Sequence, residues 1–556
     1  MRILNFSPIK QSLLILTVTG LYTLFIGRHG WANNDDGFIL GMSWRIFNGS
    51  TPYKDFIYVR PPLSIYLHSL WFYLFPDNLL YIAARALTAL QICIYSFLAC
   101  AVLVNAYPQT QPSLFTKYRA GFAILSFLLS ISVYSAPFPW HTLDGVFMGM
   151  LGVYCISRDK GLPHTLLAAL AVFLACLAKQ SFYPAPLFFM AYLFLNRRRQ
   201  DLIVYALTNI VLLALFMFWL KQNDALVQFL EQTRGSTTLK TALVAGAHSY
   251  LYYPANILAG SILCILFSRE ICKSFHKSYP PILDLFWILL VSIVLALYFF
   301  LKQGKLNCSG FEHTLFLLTL LTIIRDCRTP ELRQPALLLA LMLALSWCAS
   351  ISWTNLTPIQ FAAPLLFGGL RYFQQQYPDA VDQPKLTSWQ EYGLLCGLTI
   401  ISLINLAAPT RDGKRSELSC DLGGVETKLS YIKTSTRNCE KLAEAHRLAT
   451  QYKNEKVVFL PTFTLAGYLY GTANPLPIDW PIEGEMGKSI ARVENALDQQ
   501  VAYALLDQDE TQELATQDHY VSYFLSSPFP FKVHQEWRPV FKGQFFVVYQ
   551  NPNVIP

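Results

Sequence analysis

Long apolar stretches separated by short polar segments dominate the chain from its N-terminus to about residue 408. Several of them hold about 17 to 22 residues, the length that crosses a bilayer as an α-helix. We therefore predict a polytopic α-helical membrane protein with about thirteen transmembrane helices. The predicted spans are 11–27, 80–104, 120–136, 141–157, 164–178, 182–196, 202–220, 254–268, 282–301, 313–325, 336–353, 357–371 and 390–408.

Three polar segments are too long to be simple connectors between spans. The first covers 28–79, and the second, 221–253, mixes charged and apolar residues in a way that predicts a helix lying on the membrane surface. The third covers 409–556 and has the composition of a soluble domain. Its predicted elements are a helix at 439–452 and strands at 456–460 and 544–549. We therefore divide the chain into a transmembrane domain, 1–408, and a small extracytoplasmic α/β domain, 409–556.

Composition supports a membrane protein and excludes other classes. Hydrophobic residues make up 53% of the 556 residues, charged residues only 14%, and the mean hydropathy is +0.35, so the chain is neither disordered nor fibrous. The formal charge of +8 does not indicate nucleic-acid binding, because in a membrane protein the positions of Lys and Arg set the orientation.

The loops between spans then give the orientation. With the N-terminus in the cytoplasm, the inside loops hold seventeen Lys and Arg and the outside loops nine. No small-x-small cleavage site precedes Asn33, so we expect the first span to be retained as an anchor. We predict a multi-pass protein of the cytoplasmic (inner) membrane, with its N-terminus inside and its C-terminal domain outside.

Cysteine positions suggest one structural bridge. Cys420 and Cys439 share the predicted outer domain, where an oxidising compartment permits a disulfide. Closing a loop of that length stabilises a fold by about 3 kcal/mol. Nine further cysteines fall in spans or inside loops and show no metal-ligand spacing.

Acidic residues at the predicted outer surface are the first candidates for chemistry, because ions near a bilayer are costly. Asp35 and Asp36 follow the first span, and Asp144 begins the fourth span from the outside. Acids in the first turn of a helix also favour the helix dipole, so capping is an alternative for all three. Two adjacent carboxylates facing a cavity would serve a general base or a divalent metal.

Two cations stand on the same predicted face. Arg60 precedes two prolines, and Lys179 divides an apolar stretch at a predicted outer turn. Snorkelling to lipid headgroups is the ordinary explanation for either side chain. The alternative is a phosphate clamp, in which each cation would stabilise a phosphate charge by about 4 kcal/mol at about 4 Å before desolvation is subtracted.

Four further residues are weaker candidates. Lys302 and Lys305 precede the tenth span and are candidates for contact with lipid phosphate. Glu312 and His313 open that span, where they either mark its boundary or ligate a metal.

The sequence contains no Walker loop, Rossmann glycine pattern, HExxH motif or nucleophile elbow, so a nucleotide-hydrolysing pump is not expected.

The order of these features resembles the GT-C superfamily of integral-membrane glycosyltransferases. Within it, the bacterial branch of lipid A aminoarabinose transferases and relatives of protein O-mannosyltransferases is the most similar. The resemblance covers most of the chain, from the cytoplasmic N-terminus to the outer C-terminal domain. The motifs that carry it are Asp35-Asp36-Gly37, the turn at 48–56, Arg60-Pro61-Pro62-Leu63, Asp144 at the outer start of a span, and Lys179 within 177–180.

The resemblance implies transfer of a sugar, with inversion, from a polyprenyl-phosphate donor to a lipid, glycan or protein acceptor at the outer face of the membrane. It makes Asp35 the base that activates the acceptor, with Asp36 beside it and Asp144 as a second carboxylate in the cavity. It also makes Arg60 and Lys179 the residues that hold the donor phosphate as it leaves.

Two positions depart from the family pattern. Arg60 stands where relatives often have Lys, which keeps the charge. Val59 stands where the aminoarabinose transferases have a Glu implicated in metal binding. The resemblance therefore requires no cofactor here and leaves a divalent metal as an alternative.

Two other classes of protein share the many spans and interfacial charges. A lipid-linked substrate transporter or flippase would place substrate groups near the bilayer midplane, often within paired repeats. Here the charges collect on one face and no repeat is evident. The other rival is a non-catalytic assembly protein whose outer domain binds a partner.

Overall fold

The computed structural model is mostly helical and ends in a small sheet domain. It describes residues 8–32, 34–107, 119–133, 137–158, 161–234, 239–275, 282–303, 309–351, 358–375, 412–516 and 527–554, with isolated positions between 397 and 410. Its first sixteen helices are α1 (Pro8–Tyr22), α2 (Asp35–Phe47), α3 (Leu63–Ser69), α4 (Trp71–Leu74), α5 (Asp77–Ala106), α6 (Arg119–Ile131), α7 (His141–Ser157), α8 (Leu162–Ala178), α9 (Ala185–Leu195), α10 (Arg199–Gln222), α11 (Leu226–Gln232), α12 (Leu239–Ser274), α13 (Ile282–Gln303), α14 (Ser309–Asp326), α15 (Pro330–Ser350) and α16 (Ala362–Gln375).

Twelve of the thirteen apolar stretches predicted as spans lie on these helices. The thirteenth, 390–408, falls mostly outside the described residues. By length and composition, five described helical segments are able to cross a membrane, namely Ile9–Gly27, Asp77–Ala106, Arg199–Gln222, Ala247–Ser274 and Pro330–Ser350. The α-helical membrane architecture therefore agrees with the sequence pattern, and the count of thirteen stays a prediction.

The segment predicted as a surface helix, 221–253, differs from that expectation. It takes in the last two residues of α10, the short helix α11 and the first part of α12, a helix of 36 residues with Pro254 inside. A proline interrupts one hydrogen bond of a helix without always ending it. Helix α12 therefore continues across the boundary drawn at 253, and the division between surface segment and span stays a prediction.

Buried apolar side chains hold the centre of the helix bundle together. Ile92 of α5, Val146 of α7, Val172 of α8 and Leu345 of α15 are fully buried in one cluster. The helix α10 instead exposes large apolar side chains along most of its length. Such a surface is unfavourable in water and suits contact with lipid.

A buried arginine ties the first outer segment to the bundle. Arg85 of α5 donates hydrogen bonds to the carbonyls of Gly27 at 3.0 Å and Gly30 at 2.8 Å, and to the carboxylate of Asp36 at 2.9 Å. An unpaired guanidinium at this depth would be costly. These three acceptors therefore fix the end of the first span and the start of α2 against α5.

The C-terminal domain is built on a four-stranded sheet of order β3-β4-β6-β5. Strands β3 and β4 are parallel, and the other two pairs are antiparallel. Its strands are β1 (Cys420–Asp421), β2 (Lys433–Thr434), β3 (Val457–Leu460), β4 (Tyr503–Asp507), β5 (Arg538–Lys542) and β6 (Phe546–Gln550). Its helices are α17 (Thr436–Gln451), α18 (Ala466–Tyr470), α19 (Glu483–Met486), α20 (Ile490–Gln500), α21 (Gln508–Thr516) and α22 (Phe529–Glu536).

The elements predicted for this domain are present, since the predicted helix corresponds to α17 and the two predicted strands to β3 and β6. Helix α17 begins at Ser435, whose hydroxyl accepts a hydrogen bond from the Asn438 amide at 3.3 Å. A disulfide joins Cys420 to Cys439 and links β1 to α17.

Helix α2 is one of the elements of the helix bundle that contact the C-terminal domain. A Cβ atom at Gly41 would overlap the carbonyl of Thr464, so the two backbones are in direct contact there. Arg45, one turn further along the same face, donates to both carboxylate oxygens of Asp479 at 2.8 and 2.6 Å. The contact of Gly41 and the charge of Arg45 together dock the two domains.

Candidate functional site

The segment between α2 and α3 carries Arg60 in a fixed backbone conformation. Tyr53 has a left-handed φ of 71°, and its hydroxyl donates to the carbonyl of Arg60 at 2.7 Å. Gln232 of α11 accepts from the Tyr58 amide and donates to the Tyr53 carbonyl, both at 2.9 Å. The segment is therefore held both internally and by a neighbouring helix.

Arg60 is buried and forms a two-pronged ion pair with Glu485 of the C-terminal domain. Its guanidinium also lies over the ring of Phe38, 5.0 Å from the centroid. Burial lowers the pKa of Arg60, but the charge and hydrogen bonds of Glu485 raise it by more, so the pKa lies above its ordinary value. Arg60 therefore carries its charge inside the protein.

Lys179 lies on the turn that follows α8, next to the segment of Arg60. It is buried, and its Nζ donates to the Thr142 hydroxyl at 2.8 Å. The neighbouring Gln180 side chain donates to the carbonyl of Val59, so the two segments are joined directly. Burial, and then the charge of Arg60, lower the pKa of Lys179 well below its usual range. The structure thus brings the two predicted cations into one buried cluster.

Asp144 lies fully buried at the start of α7 and is held by side chains of two other helices. His68 contacts it through Nε2 at 3.1 Å, and Gln91 donates to it at 2.9 Å. The Trp71 indole donates to Nδ1 of His68 at 2.7 Å. Because Nδ1 accepts, the ring proton lies on Nε2 and is donated to Asp144. The Asp144 carboxylate is therefore held in place by hydrogen bonds from His68 and Gln91, and His68 is itself held by Trp71.

The two adjacent acids of the sequence motif have different surroundings. Asp36 is buried and accepts from Arg85 at 2.9 Å and from the Ala32 amide at 3.2 Å. Asp35 is only partly buried, and its charge acts on Arg60. The N-cap of α2 is Asn34, whose side chain accepts from the Asp35 amide at 2.7 Å, so both acids lie in the first turn.

Asp144 and the cations belong to one neighbourhood. The buried Tyr58 is within electrostatic range of Arg60, Glu485 and Asp144. Burial is the largest of these influences and raises the pKa of Tyr58, so its hydroxyl keeps its proton. Asp35 and Lys179 thus lie within electrostatic range of Arg60, and Asp144 lies within range of the neighbouring Tyr58.

The weaker candidates lie elsewhere or outside the description. Glu312 and His313 are buried in α14, where the His313 ring packs edge-on against Tyr250 with centroids 4.5 Å apart. In the part of the chain that the structure describes, no three His, Cys, Asp or Glu side chains are grouped so as to hold a metal ion. Lys302 lies in α13 with its side chain undescribed, and Lys305 lies outside the described residues.

Sequence reasoning missed Glu485 and His68. Glu485 is 425 residues from Arg60 along the chain, and no motif marks it. A lone histidine in the apolar run that begins at Leu63 was a usable signal for His68, because an ionisable group in such a run needs a partner.

Comparison with known proteins gives similarity at the level of structure. No protein-family model and no curated protein matches the sequence. The chain is similar to ArnT from Cupriavidus metallidurans, at 12% identity and a TM-score of 0.42 over 98% of each chain. It is also similar to the oligosaccharyltransferase of Archaeoglobus fulgidus, at 12% identity and a TM-score of 0.47 over 97% of this chain and 74% of that chain.

Proposed function

We propose that the protein is a glycosyltransferase that moves a sugar from a polyprenyl-phosphate carrier to a lipid, glycan or protein acceptor at the outer face of the membrane. The observation that supports this best is the cluster of two buried cations, Arg60 and Lys179, with one paired carboxylate, Glu485. A buried guanidinium and a buried amine on neighbouring segments suit a phosphate, because both donate hydrogen bonds to its oxygens. The cluster lies where the sequence predicts the outer ends of the spans, at the depth of lipid headgroups.

Arg60 and Lys179 would hold the donor phosphate. A guanidinium has five N–H groups, and the pair with Glu485 uses one on each terminal nitrogen, which leaves three. Lys179 lies on a neighbouring segment, and the negative charge of a bound phosphate would raise its lowered pKa and hold it in the charged form. Fixed cations in a dry site stabilise the charge that develops on a leaving phosphate better than water does. Arg60 and Lys179 would therefore accelerate transfer at the step in which polyprenyl phosphate leaves the sugar.

Asp35 would act as the general base. An acceptor hydroxyl gives its proton to the Asp35 carboxylate while its oxygen forms a bond to the anomeric carbon of the sugar. The bond between that carbon and the phosphate oxygen breaks, and polyprenyl phosphate leaves with the electron pair. Because attack and departure occur on opposite faces, the configuration inverts. Asp35 suits this role because it is the partly exposed carboxylate beside Arg60.

Asp144 would serve as a fixed negative charge. A sugar that loses its leaving group develops positive charge at its ring, which a nearby carboxylate stabilises. The hydrogen bonds from His68 and Gln91 hold Asp144 in one orientation, so little reorganisation is needed during the reaction.

We derive no step through a metal ion. The archaeal oligosaccharyltransferase has been solved with zinc and sulfate. Among the described residues of the present chain, no three His, Cys, Asp or Glu side chains are grouped so as to hold a metal ion, and this includes Glu312 and His313. Val59 also lacks a ligating atom in its side chain.

The proposal is tested by direct transfer. Purified protein is incubated with membrane extract and a panel of undecaprenyl-phosphate hexoses and pentoses labelled in the sugar. We expect label to move from at least one carrier to an acceptor, and Lys179→Ala to weaken donor use, with Glu494→Gln, an exposed position of the C-terminal domain, as the matched control. Absence of transfer from every carrier, together with no binding of undecaprenyl phosphate, would contradict the proposal.

A further inference from the structure

Two buried side chains beside the cation cluster have polar atoms with no partner. Among the described residues, the two ring nitrogens of His141 have no hydrogen-bond partner, and the hydroxyl of Tyr58 has none either. Both side chains are almost fully buried, at 0% and 1% exposure. Most buried polar atoms in proteins are paired, so such an exception calls for a ligand, a water or a reactive role.

Ring contacts place both side chains around Arg60. Phe38, which lies under the Arg60 guanidinium, packs against Tyr58 at 6.4 Å and against Trp140 at 6.1 Å between centroids. Trp140 in turn packs against the ring of His141 at 4.3 Å. These ring contacts therefore connect both His141 and Tyr58 to Phe38, the ring under the Arg60 guanidinium.

The backbone places His141 next to the other cation as well. Thr142, the following residue, accepts the hydrogen bond of Lys179 at 2.8 Å. The charges of Lys179 and Arg60 both act on His141. His141 therefore lies beside both cations, with its two ring nitrogens unpaired among the described residues.

The chemistry that completes this arrangement is an acceptor. A neutral imidazole offers one N–H, a tyrosine one O–H, and the neighbouring cations further N–H groups. A phosphate has several oxygens and accepts all of these bonds, whereas a neutral apolar ligand accepts none. Phenylalanine would fill either position without leaving a polar atom unpaired.

We propose that His141 and Tyr58 are further ligands of the donor phosphate, completing the site formed by Arg60 and Lys179. This assignment rests on the proposed function, and it adds two residues that neither the motifs nor the resemblance had included. His141 and Tyr58 bind the phosphate oxygens in the donor complex and release them with polyprenyl phosphate. Without donor they stay unpaired.

The test measures the binding of radiolabelled undecaprenyl phosphate to purified protein in detergent. We expect His141→Phe and Tyr58→Phe each to raise the Kd about tenfold, the loss that follows from one hydrogen bond to a charged group. His141→Gln restores an N–H donor and should recover part of the affinity. The thermal midpoint of the free protein should not fall in either Phe variant, because each substitution removes an unpaired polar group.

A matched control is Tyr205→Phe, which removes another buried hydroxyl. Tyr205 lies on α10, where its ring stacks on Phe189 of α9 with centroids 6.0 Å apart, and no contact between described residues joins it to Arg60 or Lys179. Its Kd should stay that of the unsubstituted protein. If Lys179→Ala raises the Kd for undecaprenyl phosphate and the two Phe variants leave it unchanged, this inference is overturned while the proposed function stands.

Two other results would also count against it. A lower thermal midpoint with unchanged Kd in His141→Phe would mean that an ordered water, not the donor, pairs these atoms. If the unsubstituted protein does not bind undecaprenyl phosphate, the proposed function fails and the assignment fails with it.

Discussion

Asp35 and Asp36 are neighbours in the chain, and Asp36 holds the buried Arg85 at 2.9 Å. We expect Asp36→Asn to lower stability by about 3–5 kcal/mol, because it leaves that guanidinium without its counter-charge. Asp35→Asn should instead abolish sugar transfer and leave the thermal midpoint in detergent close to that of the unsubstituted protein. Normal turnover in Asp35→Asn would contradict its assignment as the base.

The sequence could not separate these two acids. Both follow the first span, and both suit the first turn of a helix equally well. What distinguishes them is Arg85, which lies 49 residues beyond Asp36 on α5. A pairing of that separation leaves no local pattern, whereas the outer position of the acidic pair follows directly from the end of the preceding apolar run.

Glu485 offers a second prediction for a single residue. Glu485→Ala should lower the stability of the free protein by about 3–5 kcal/mol, because Arg60 keeps its buried charge and loses its partner. Undecaprenyl phosphate supplies a negative charge at the same place, so we expect it to raise the thermal midpoint more in this variant than in the unsubstituted protein. The control is Glu494→Ala, at a more exposed ion pair with Lys532.

An equal increase in both proteins would contradict the idea that phosphate and Glu485 share Arg60. The measurement is a pair of melting curves for each protein, with and without the lipid. Because the comparison is made within each variant, a general loss of stability does not obscure it.

Among the elements, α2 is the one whose sequence must meet the C-terminal domain at close range. Gly41→Ala adds a methyl group where the carbonyl of Thr464 already lies, and that carbonyl cannot turn away as a flexible side chain would. We expect a loss of stability of about 1–3 kcal/mol, the cost of overpacking. The measurement is the thermal midpoint in detergent, together with the rate at which trypsin cleaves the C-terminal domain.

The matched control is Gly121→Ala in α6, where nothing lies within 4 Å of the added carbon. A helix gains about 0.5–1 kcal/mol when an interior glycine becomes alanine, so this variant should be as stable as the unsubstituted protein or more so. Equal midpoints in the two alanine variants would mean that α2 and the C-terminal domain are not in close contact.

Elements were predicted well wherever one physical rule dominated. Long apolar runs gave α5, α10 and α15 because a span must bury its backbone in one helix. The predicted start of the span within α12 does not coincide with a helix end, because the polar first turns of α12 continue, without a break, into its apolar part. The pattern of apolar and polar residues shows which surroundings a segment prefers. It does not show whether a helix continues from the membrane surface into the membrane.

At the scale of the molecule, the candidate site is shared by both domains. Glu485 reaches Arg60 from the C-terminal domain, and Arg492 of α20 donates to the carbonyl of Tyr53 at 3.1 Å in the segment that carries Arg60. A motif search restricted to the transmembrane domain finds the cations and misses the carboxylate that pairs with one of them. The C-terminal domain therefore contributes to the electrostatics of the site as well as to its outer surface.

The side of the membrane that this site faces is open to a direct test. The excess of Lys and Arg in alternate loops predicts that the loop after α10 is outside and the loop after α12 inside. Asp224 is exposed in the first of these loops and Glu270 in the last turns of α12, and both form exposed ion pairs. The left-handed φ of 53° at Asp224 costs a cysteine about 1–2 kcal/mol, which the fold should tolerate. We expect a membrane-impermeant maleimide to label Asp224→Cys in intact cells and Glu270→Cys only after permeabilisation.

The label at Asp224 also reports on the site itself. Lys54 pairs with Asp224 at 3.4 Å, and Gln232 in the following helix α11 holds the backbone of Tyr53 and Tyr58, on the way to Arg60. These contacts place the labelled loop and the cation cluster on one side of the membrane. The unsubstituted protein serves as the background, since its described free cysteines are buried or half-buried. Labelling of Glu270→Cys alone in intact cells would put the cluster on the cytoplasmic side and contradict the transfer proposed for the outer face.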